Sequence, residues 1–341
     1  MKLYAAFILF LLSYFGDSSK ANKPRRSNPW CHEAPGLSVS QRKLCFRVPG
    51  LETAIRKGIE TGLSECEREF QWNRWNCSTL ENNSVWERAP VGTREDAFTT
   101  ALLSASIAYS IAKACTAKNV AECSCEVIRR PKYGQTWKWQ GCSANVRFGS
   151  YSSKRFMLNG RRNKSAIDTV VFRQNVRVGL EVLQKNRVVR CTLGKAGRVK
   201  SCRLTLPPLH KISRIIKGKY HSATRVTARL IRGKKNSFSL RTIERYRSRP
   251  KAKRPKKSSL VYLRHSPTYC YRQTEYSIPG TRGRRCHLNS LKEGDCNLMC
   301  CGRGYKREAK IKKRLYDCKT NVGMPCICKL CTDVIIENKC M

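Results

Sequence analysis

Three stretches of the chain place their apolar residues at helical spacing. Between Leu51 and Phe70 the residues Leu51, Ile55, Ile59, Leu63, Cys66 and Phe70 fall three or four apart, which makes one helical stripe and turns Cys66 toward the core. Thr93-Arg-Glu-Asp96 has the form of a capped helix start with acids in the first turn. The alanine-rich run Ala97 to Cys115 behind it has high helix propensity, so a long helix is expected from about Glu95 to Ala114. Ser165 to Val189 carries a weaker stripe through Ile167, Val171, Val178 and Val182, and its many β-branched valines leave a strand open as the alternative.

Beyond Lys257 the pattern changes. Ten of the twenty cysteines lie between Cys270 and Cys340, among Gly, Pro and short polar segments, and no amphipathic helix of ordinary length fits there. That composition predicts a small domain of loops and hairpins whose thin apolar core is supplemented by disulfides, each contributing about 2 to 4 kcal/mol. The expected fold class is α+β: a helical N-terminal domain with disulfide-bonded hairpins, plus a small cysteine-rich β-hairpin C-terminal domain.

Composition adds a compartment and a charge. The apolar run Leu3 to Phe15 is too short to span a bilayer and is followed by small and polar residues, as in a secretory signal peptide, assigned to residues 1–20. No second apolar run reaches 18 residues, so no transmembrane helix is expected. Behind a signal peptide, an even count of cysteines reads as a disulfide framework. Zinc is the competing use, encouraged by Cys123-Ser-Cys125 and Cys328-Lys-Leu-Cys331. It is weakened by only five histidines and by the lack of a repeated Cys-x-x-Cys pair at finger spacing.

The net charge of +46, from 69 Lys and Arg against 23 acids, calls for a polyanion, and for an exported protein that is sulfated glycosaminoglycan rather than nucleic acid. Lys211 to Lys257 holds eighteen basic residues and one acid, Glu244. Its end, with Arg245, Arg247, Arg249, Lys251, Lys253, Arg254, Lys256 and Lys257 around two prolines, reads as a disordered basic linker and a heparan sulfate site, or as a merely solvated charge run.

Six blocks then occur in a recognisable order. They are Pro35-Gly-Leu37 with Gln41 between Cys31 and Cys45; Glu65-Cys-Glu-Arg-Glu-Phe-Gln-Trp-Asn-Arg-Trp-Asn-Cys-Ser78; Gly92-Thr-Arg-Glu-Asp-Ala-Phe98; Trp137-Lys-Trp-Gln-Gly-Cys-Ser-Ala-Asn145; Leu260-Val-Tyr-Leu263 with Ser266-Pro267; and Cys300-Cys-Gly-Arg-Gly-Tyr305. Together they resemble the Wnt family of secreted signalling ligands over nearly the whole chain. The resemblance implies bridges Cys66 with Cys77, Cys115 with Cys123, Cys125 with Cys142, Cys270 with Cys301, Cys286 with Cys296, Cys300 with Cys340 and Cys318 with Cys331. Cys31 with Cys45 is a plausible further pair. It also implies a domain plan: 21–240 helical with a thumb hairpin at 189–202, a basic linker at 241–259 and a finger domain at 260–341.

Two regions depart from the family pattern. The family's thumb loop reads Cys-His-Gly-Val-Ser-Gly-Ser-Cys, and its first Ser carries the acyl chain that enters the Frizzled receptor. Here the loop reads Cys191-Thr-Leu-Gly-Lys-Ala-Gly-Arg-Val-Lys-Ser-Cys202, with no Ser at its tip and with Val189 and Arg198 where two further cysteines belong. Cys191 and Cys202 are left to pair with each other. No acylation is expected, with Ser201 or Thr192 as the open alternatives. In the finger, Thr320 and Pro325 stand where cysteines are expected, which leaves the pairing of Cys326 and Cys328 open.

The remaining receptor contact would be the finger, where Val322, Met324 and Ile327 form an apolar tip or simply pack inside a small domain. Asn82 and Asn163 head glycosylation sequons, whereas the Asn76 sequon is spoiled by an adjacent bridged Cys. His32, His210, His221, His265 and His287 lie in no nucleophile or metal motif, so no enzyme and no cofactor is expected. The expected partners are a Frizzled-family receptor and heparan sulfate proteoglycan in the extracellular space. The membrane is expected to be reached only through them. The alternative is a glycosaminoglycan-bound antagonist or decoy.

Overall fold

The computed structural model describes residues 30–80, 88–126, 128, 138–139, 141–160, 165–193, 199–233, 236–243, 253–288, 293–319 and 327–341. The signal segment, Asn82, Asn163, Arg245 to Lys251, the thumb tip, Val322 and Met324 lie outside the described residues.

The chain opens with α1 (Trp30–Glu33), α2 (Val39–Arg47) and α3 (Leu51–Glu69), followed by the central helix α4 (Arg94–Thr116). Ser38 caps α2 in a full capping box with Gln41. The start of α4 is fixed reciprocally: the Thr93 hydroxyl accepts from the Asp96 N–H at 3.3 Å, and the Asp96 carboxylate accepts from the Gly92 N–H at 2.9 Å. Long and apolar enough to cross a membrane by length and composition, α4 is instead the core of the domain, with 18 of its 23 residues buried.

A short strand β1 (Lys138–Trp139) precedes α5 (Val146–Asn159) and α6 (Ala166–Lys185). The valine-rich stretch is therefore helix up to Lys185, capped by Ser165, and becomes strand only from Val188. Glycines let the neighbouring helices approach α4 closely. A Cβ on Gly58 would lie 2.6 Å from the Ile107 Cα, one on Gly149 2.4 Å from the Ala108 carbonyl oxygen, and one on Gly179 2.0 Å from the Ala101 oxygen. Across one of these seams the Ser153 hydroxyl donates to the Ser104 carbonyl at 2.7 Å.

Next come the antiparallel pair β2 (Val188–Leu193) and β3 (Val199–Thr205), α7 (Leu209–His221), then β4 (Thr224–Leu230), β5 (Phe238–Thr242) and β6 (Val261–Tyr262). β4 sits between β5, antiparallel, and β6, parallel. Asn175 of α6 both donates to and accepts from the Val261 backbone, at 2.9 and 3.0 Å. The expected domain boundary at 260 thus cuts a sheet that belongs to the helical part. The expected linker is also tethered at its described ends. The Thr242 N–H donates to the Lys253 carbonyl at 2.8 Å, and the Gln174 side-chain amide reaches the carbonyls of Lys256, Lys257 and Ser259.

The C-terminal part adds a 3-10 turn (Thr274–Tyr276), β7 (Arg285–Cys286), α8 (Cys296–Met299) and two long strands, β8 (Tyr305–Lys319) and β9 (Ile327–Cys340), in the order β7-β9-β8. Its own core is Cys286, Cys296, Met299, Cys300 and Cys340, whereas Leu260, Tyr269 and Ile278 join the large core of the helical part. Covalent bridges replace the apolar volume that so short a segment lacks.

Candidate functional site

Two projecting hairpins and the seam that orients them make up the candidate site. In the thumb, β2 and β3 run from Val188 opposite Thr205 to Leu193 opposite Val199, slightly longer than the expected 189–202. Cys191 and Cys202 face each other directly, Cα atoms 4.0 Å apart, and form a disulfide. Thr192 and Ser201 are the next cross-strand pair, with their hydroxyl oxygens 2.7 Å apart in a hydrogen bond. Both hydroxyls therefore stand one step beyond the bridge, at the base of the tip. Leu193 beside them is 68% exposed. The hairpin's root is held by an Arg187 to Glu126 ion pair of 3.0 Å, with both side chains mostly covered.

The finger is the ribbon β8/β9, registered from Tyr305 opposite Cys340 to Leu315 opposite Leu330 without a break. Its base is held by Cys270–Cys301, Cys286–Cys296 and Cys300–Cys340. Tight turns there place Cys301 and Gly304 at positive φ (55° and 79°), and Arg303 donates to the carbonyl of Met341 at 2.9 Å. Lys306 and Lys339 are directly opposed like charges, which the Glu308 carboxylate bridges. Its bonds to both lysines hold Glu308 down at about 2. Ile327 opens β9 opposite Lys319.

In the helical part the structure forms Cys31–Cys45, Cys66–Cys77, Cys115–Cys123 and Cys125–Cys142. The expected Cys318–Cys331 bridge is not formed. Cys331 is free and opposes Arg314, with its Sγ 3.4 Å from the Asp333 carboxylate, while Cys318 lies four residues further out on β8. At about 3.4 Å of rise per residue the two backbones are too far apart for a disulfide. Beyond Tyr316 opposite Lys329 the register shifts before Lys319 opposite Ile327. Peptide mapping without reductant is accordingly expected to find no peptide joining Cys318 to Cys331; recovery of that peptide would mean the ribbon is shifted out of this register.

Among the described residues the one close sulfur grouping is Cys286, Cys300 and Cys340, each already in a disulfide and thus unable to supply a thiolate. Of the basic tract, Lys253, Arg254, Lys256 and Lys257 are described; all four are exposed, while the carbonyls of Lys256 and Lys257 accept from the Gln174 amide.

The seam between the two parts was not visible in the sequence. Buried Glu95, in the first turn of α4, accepts from Tyr220 of α7 at 2.9 Å, from Tyr269 at 2.9 Å and from Ser266. Burial, reinforced by the Glu95 charge, pushes the Tyr220 and Tyr269 phenols well above the ordinary tyrosine range. On the other side of the seam Arg284 caps a turn, donating to the carbonyls of Asn73 and Arg74 at 2.6 Å and of Gln71 at 2.9 Å. Burial lowers its guanidinium to about 10, still charged at neutral pH. Arg74 returns a bond to the Leu298 carbonyl at 2.8 Å.

A helical core welded to a cystine-held ribbon, with two hairpins projecting from it, is the build of a protein that binds by its extremities. The Wnt family model matches residues 33–341, and the chain belongs to the Wnt family, whose members are secreted, non-enzymatic signalling ligands. It is 35% identical over 327 residues to Protein Wnt-5b of Xenopus laevis, covering 92% of this chain and 88% of that protein. It is 34% identical over 326 residues to Protein Wnt-5b of Mus musculus, with the same coverage. Among solved structures it is similar to a chain of human WLS in complex with WNT8A, at a TM-score of 0.59 and 26% identity, over 85% of this chain and 93% of that one.

Proposed function

We propose that this protein is a Frizzled-binding ligand that works through the tip of its finger, carries no acyl chain on its thumb, and is held in the matrix by heparan sulfate along Arg245 to Lys257. The observation that carries the reading is the thumb loop. Its tip is Gly194-Lys-Ala-Gly197, without a hydroxyl. The two nearby hydroxyls, Thr192 and Ser201, sit against the disulfide and bond to each other. Lys195 is costly to bury in an apolar groove.

An acyl chain burying roughly a dozen CH2 groups at about 0.8 kcal/mol each would supply on the order of 10 kcal/mol before the costs of association. Without it the finger must supply the specific contact, through Val322, Met324 and Ile327. Asn82 and Asn163 are assigned as the glycosylated positions. The exposed cations Lys253, Arg254, Lys256 and Lys257 also favour a second reading, a glycosaminoglycan-held antagonist that never engages the receptor.

Binding of the secreted protein to a Frizzled cysteine-rich domain, at raised salt and with excess heparin, separates the two readings. Salt weakens charge-driven adhesion steeply and leaves an apolar contact largely intact. Sub-micromolar binding that survives, falls at least about tenfold with Met324→Asp, and comes from a protein whose intact mass shows no acyl increment is the expected result. An acylated mass would sink the lipid-free mechanism, and absence of binding would leave the antagonist.

A further inference from the structure

The finger ribbon has two chemically different faces. Paired residues of an antiparallel ribbon project to the same side, and alternate pairs share a face. One face holds the pairs Ala309/Ile336, Ile311/Val334 and Leu315/Leu330. The five large side chains among them are 58% to 68% exposed. Such a row of uncovered aliphatics is unusual for a secreted soluble domain and marks a contact surface.

The charges on the ribbon are sorted by the same parity. Within the unbroken register from Tyr305 to Leu315, both charges on the apolar face, Arg307 and Lys313, are positive; Asp317, two residues beyond Leu315, falls at the register shift. The acids Glu308, Asp333 and Glu337 are all on the opposite face, where they pair with Lys306 and Lys339, with Arg314 and with Arg285 respectively. The surface therefore offers apolar area and unopposed cations.

We propose that this face docks directly on a lipid bilayer bearing anionic headgroups, in addition to any indirect tethering through receptor and proteoglycan. Its aliphatics enter the interfacial region, while Arg307 and Lys313 extend to the phosphates on their flexible stems. From Ala309 to Leu315 the stripe runs about 20 Å, long enough to lie flat in the membrane plane. Two observations select lipid over protein. Between Ala309 and Leu315 the face has no Trp, Tyr or Arg of the kind that anchors protein hot spots, and its large side chains are the Leu, Ile and Val that are weak there. A second copy of the chain would bring like cations against one another within a molecule of net charge +46.

The test is flotation of the full secreted protein with phosphatidylcholine vesicles containing phosphatidylserine, at raised salt and without receptor, so that its outcome is independent of Frizzled binding. Ile311→Ser with Val334→Ser leaves net charge and the exposed backbone unchanged. It is expected to lower vesicle partition about tenfold or more. Lys310→Ala with Lys312→Ala, on the opposite face, is expected to change it less than about threefold. An identical non-reducing disulfide map verifies the fold of both. Equal loss from the two variants, no partition of the parent protein, or self-association in sedimentation that the serine pair abolishes while vesicle binding stands would each overturn the proposal.

Discussion

Replacing Gly179 by Val is expected to be among the most damaging single changes in the molecule, costing about 3 kcal/mol or more and lowering the thermal midpoint and secreted yield together. The added Cβ would lie 2.0 Å from the Ala101 carbonyl oxygen and 2.4 Å from the Ser104 hydroxyl, both on the buried helix α4. Those are backbone and short side-chain atoms with nowhere to swing, so α6 must retreat and strip contacts from Val176, Val178 and Leu183. Gly218 supplies the control. It is an exposed helical glycine with nothing within 4 Å of its notional Cβ, and Gly218→Ala is expected to stabilise by about 0.5 to 1 kcal/mol. Calorimetry on the pair decides it; similar small losses at both positions would mean that the α4–α6 approach is looser than described.

Glu95→Ala is the second large effect, expected to cost roughly 2 to 5 kcal/mol. One carboxylate, 4% exposed, terminates three hydroxyls from two parts of the chain, and removing it takes that acceptor from the buried Tyr269 phenol and the half-buried Tyr220 phenol at once. Glu95→Gln retains one acceptor oxygen and should lose about half as much. The discriminating readout is limited proteolysis after Leu263: the alanine variant should be cut there before global unfolding, because the finger domain detaches from α4 and α7. A stability loss with no change in cleavage order would argue against a role in joining the two parts. The same cluster sets an alkaline limit. Both phenols are raised in the folded protein, so unfolded tyrosines ionise first, and the stability these two groups confer declines as pH rises above about 10.

What was legible in the sequence was local. The stripe from Leu51 to Phe70 and the cap at Thr93 fixed two helices to within a residue or two, because spacing and capping act between neighbours. The segment from Ser165 to Val189 was ambiguous for a physical reason: it holds both answers, with valines at helical spacing up to Val182 and a strand beginning at Val188.

The length of the finger strands was missed. Ala309, Ile311 and Leu315 do alternate with polar residues, but Lys313 interrupts the row and the lysine-rich composition masks it. Nothing local marks Gly58, Gly149 and Gly179 as contact points rather than weak spots, since their role depends on which helix crosses them. Glu95 with Tyr269, and Arg284 with Asn73, are separated by 174 and 211 residues. Such pairings are properties of the assembled seam. That Cys331 opposes Arg314 rather than Cys318 follows from the pairing register of β8 with β9, which no spacing rule encodes.

The distribution of bridges along the chain bears on how the protein is made. Six of the described disulfides close segments of 8 to 17 residues, so each can form soon after its second cysteine enters the oxidising lumen, in the order of synthesis. Two do not follow that order: Cys270–Cys301 and Cys300–Cys340 span 31 and 40 residues and use adjacent cysteines. Until Cys340 arrives, Cys270 can be captured by either neighbour, and the wrong choice strands the end of the finger. Among the described bridges, this dipeptide is therefore where thiol exchange by a disulfide isomerase has most to correct.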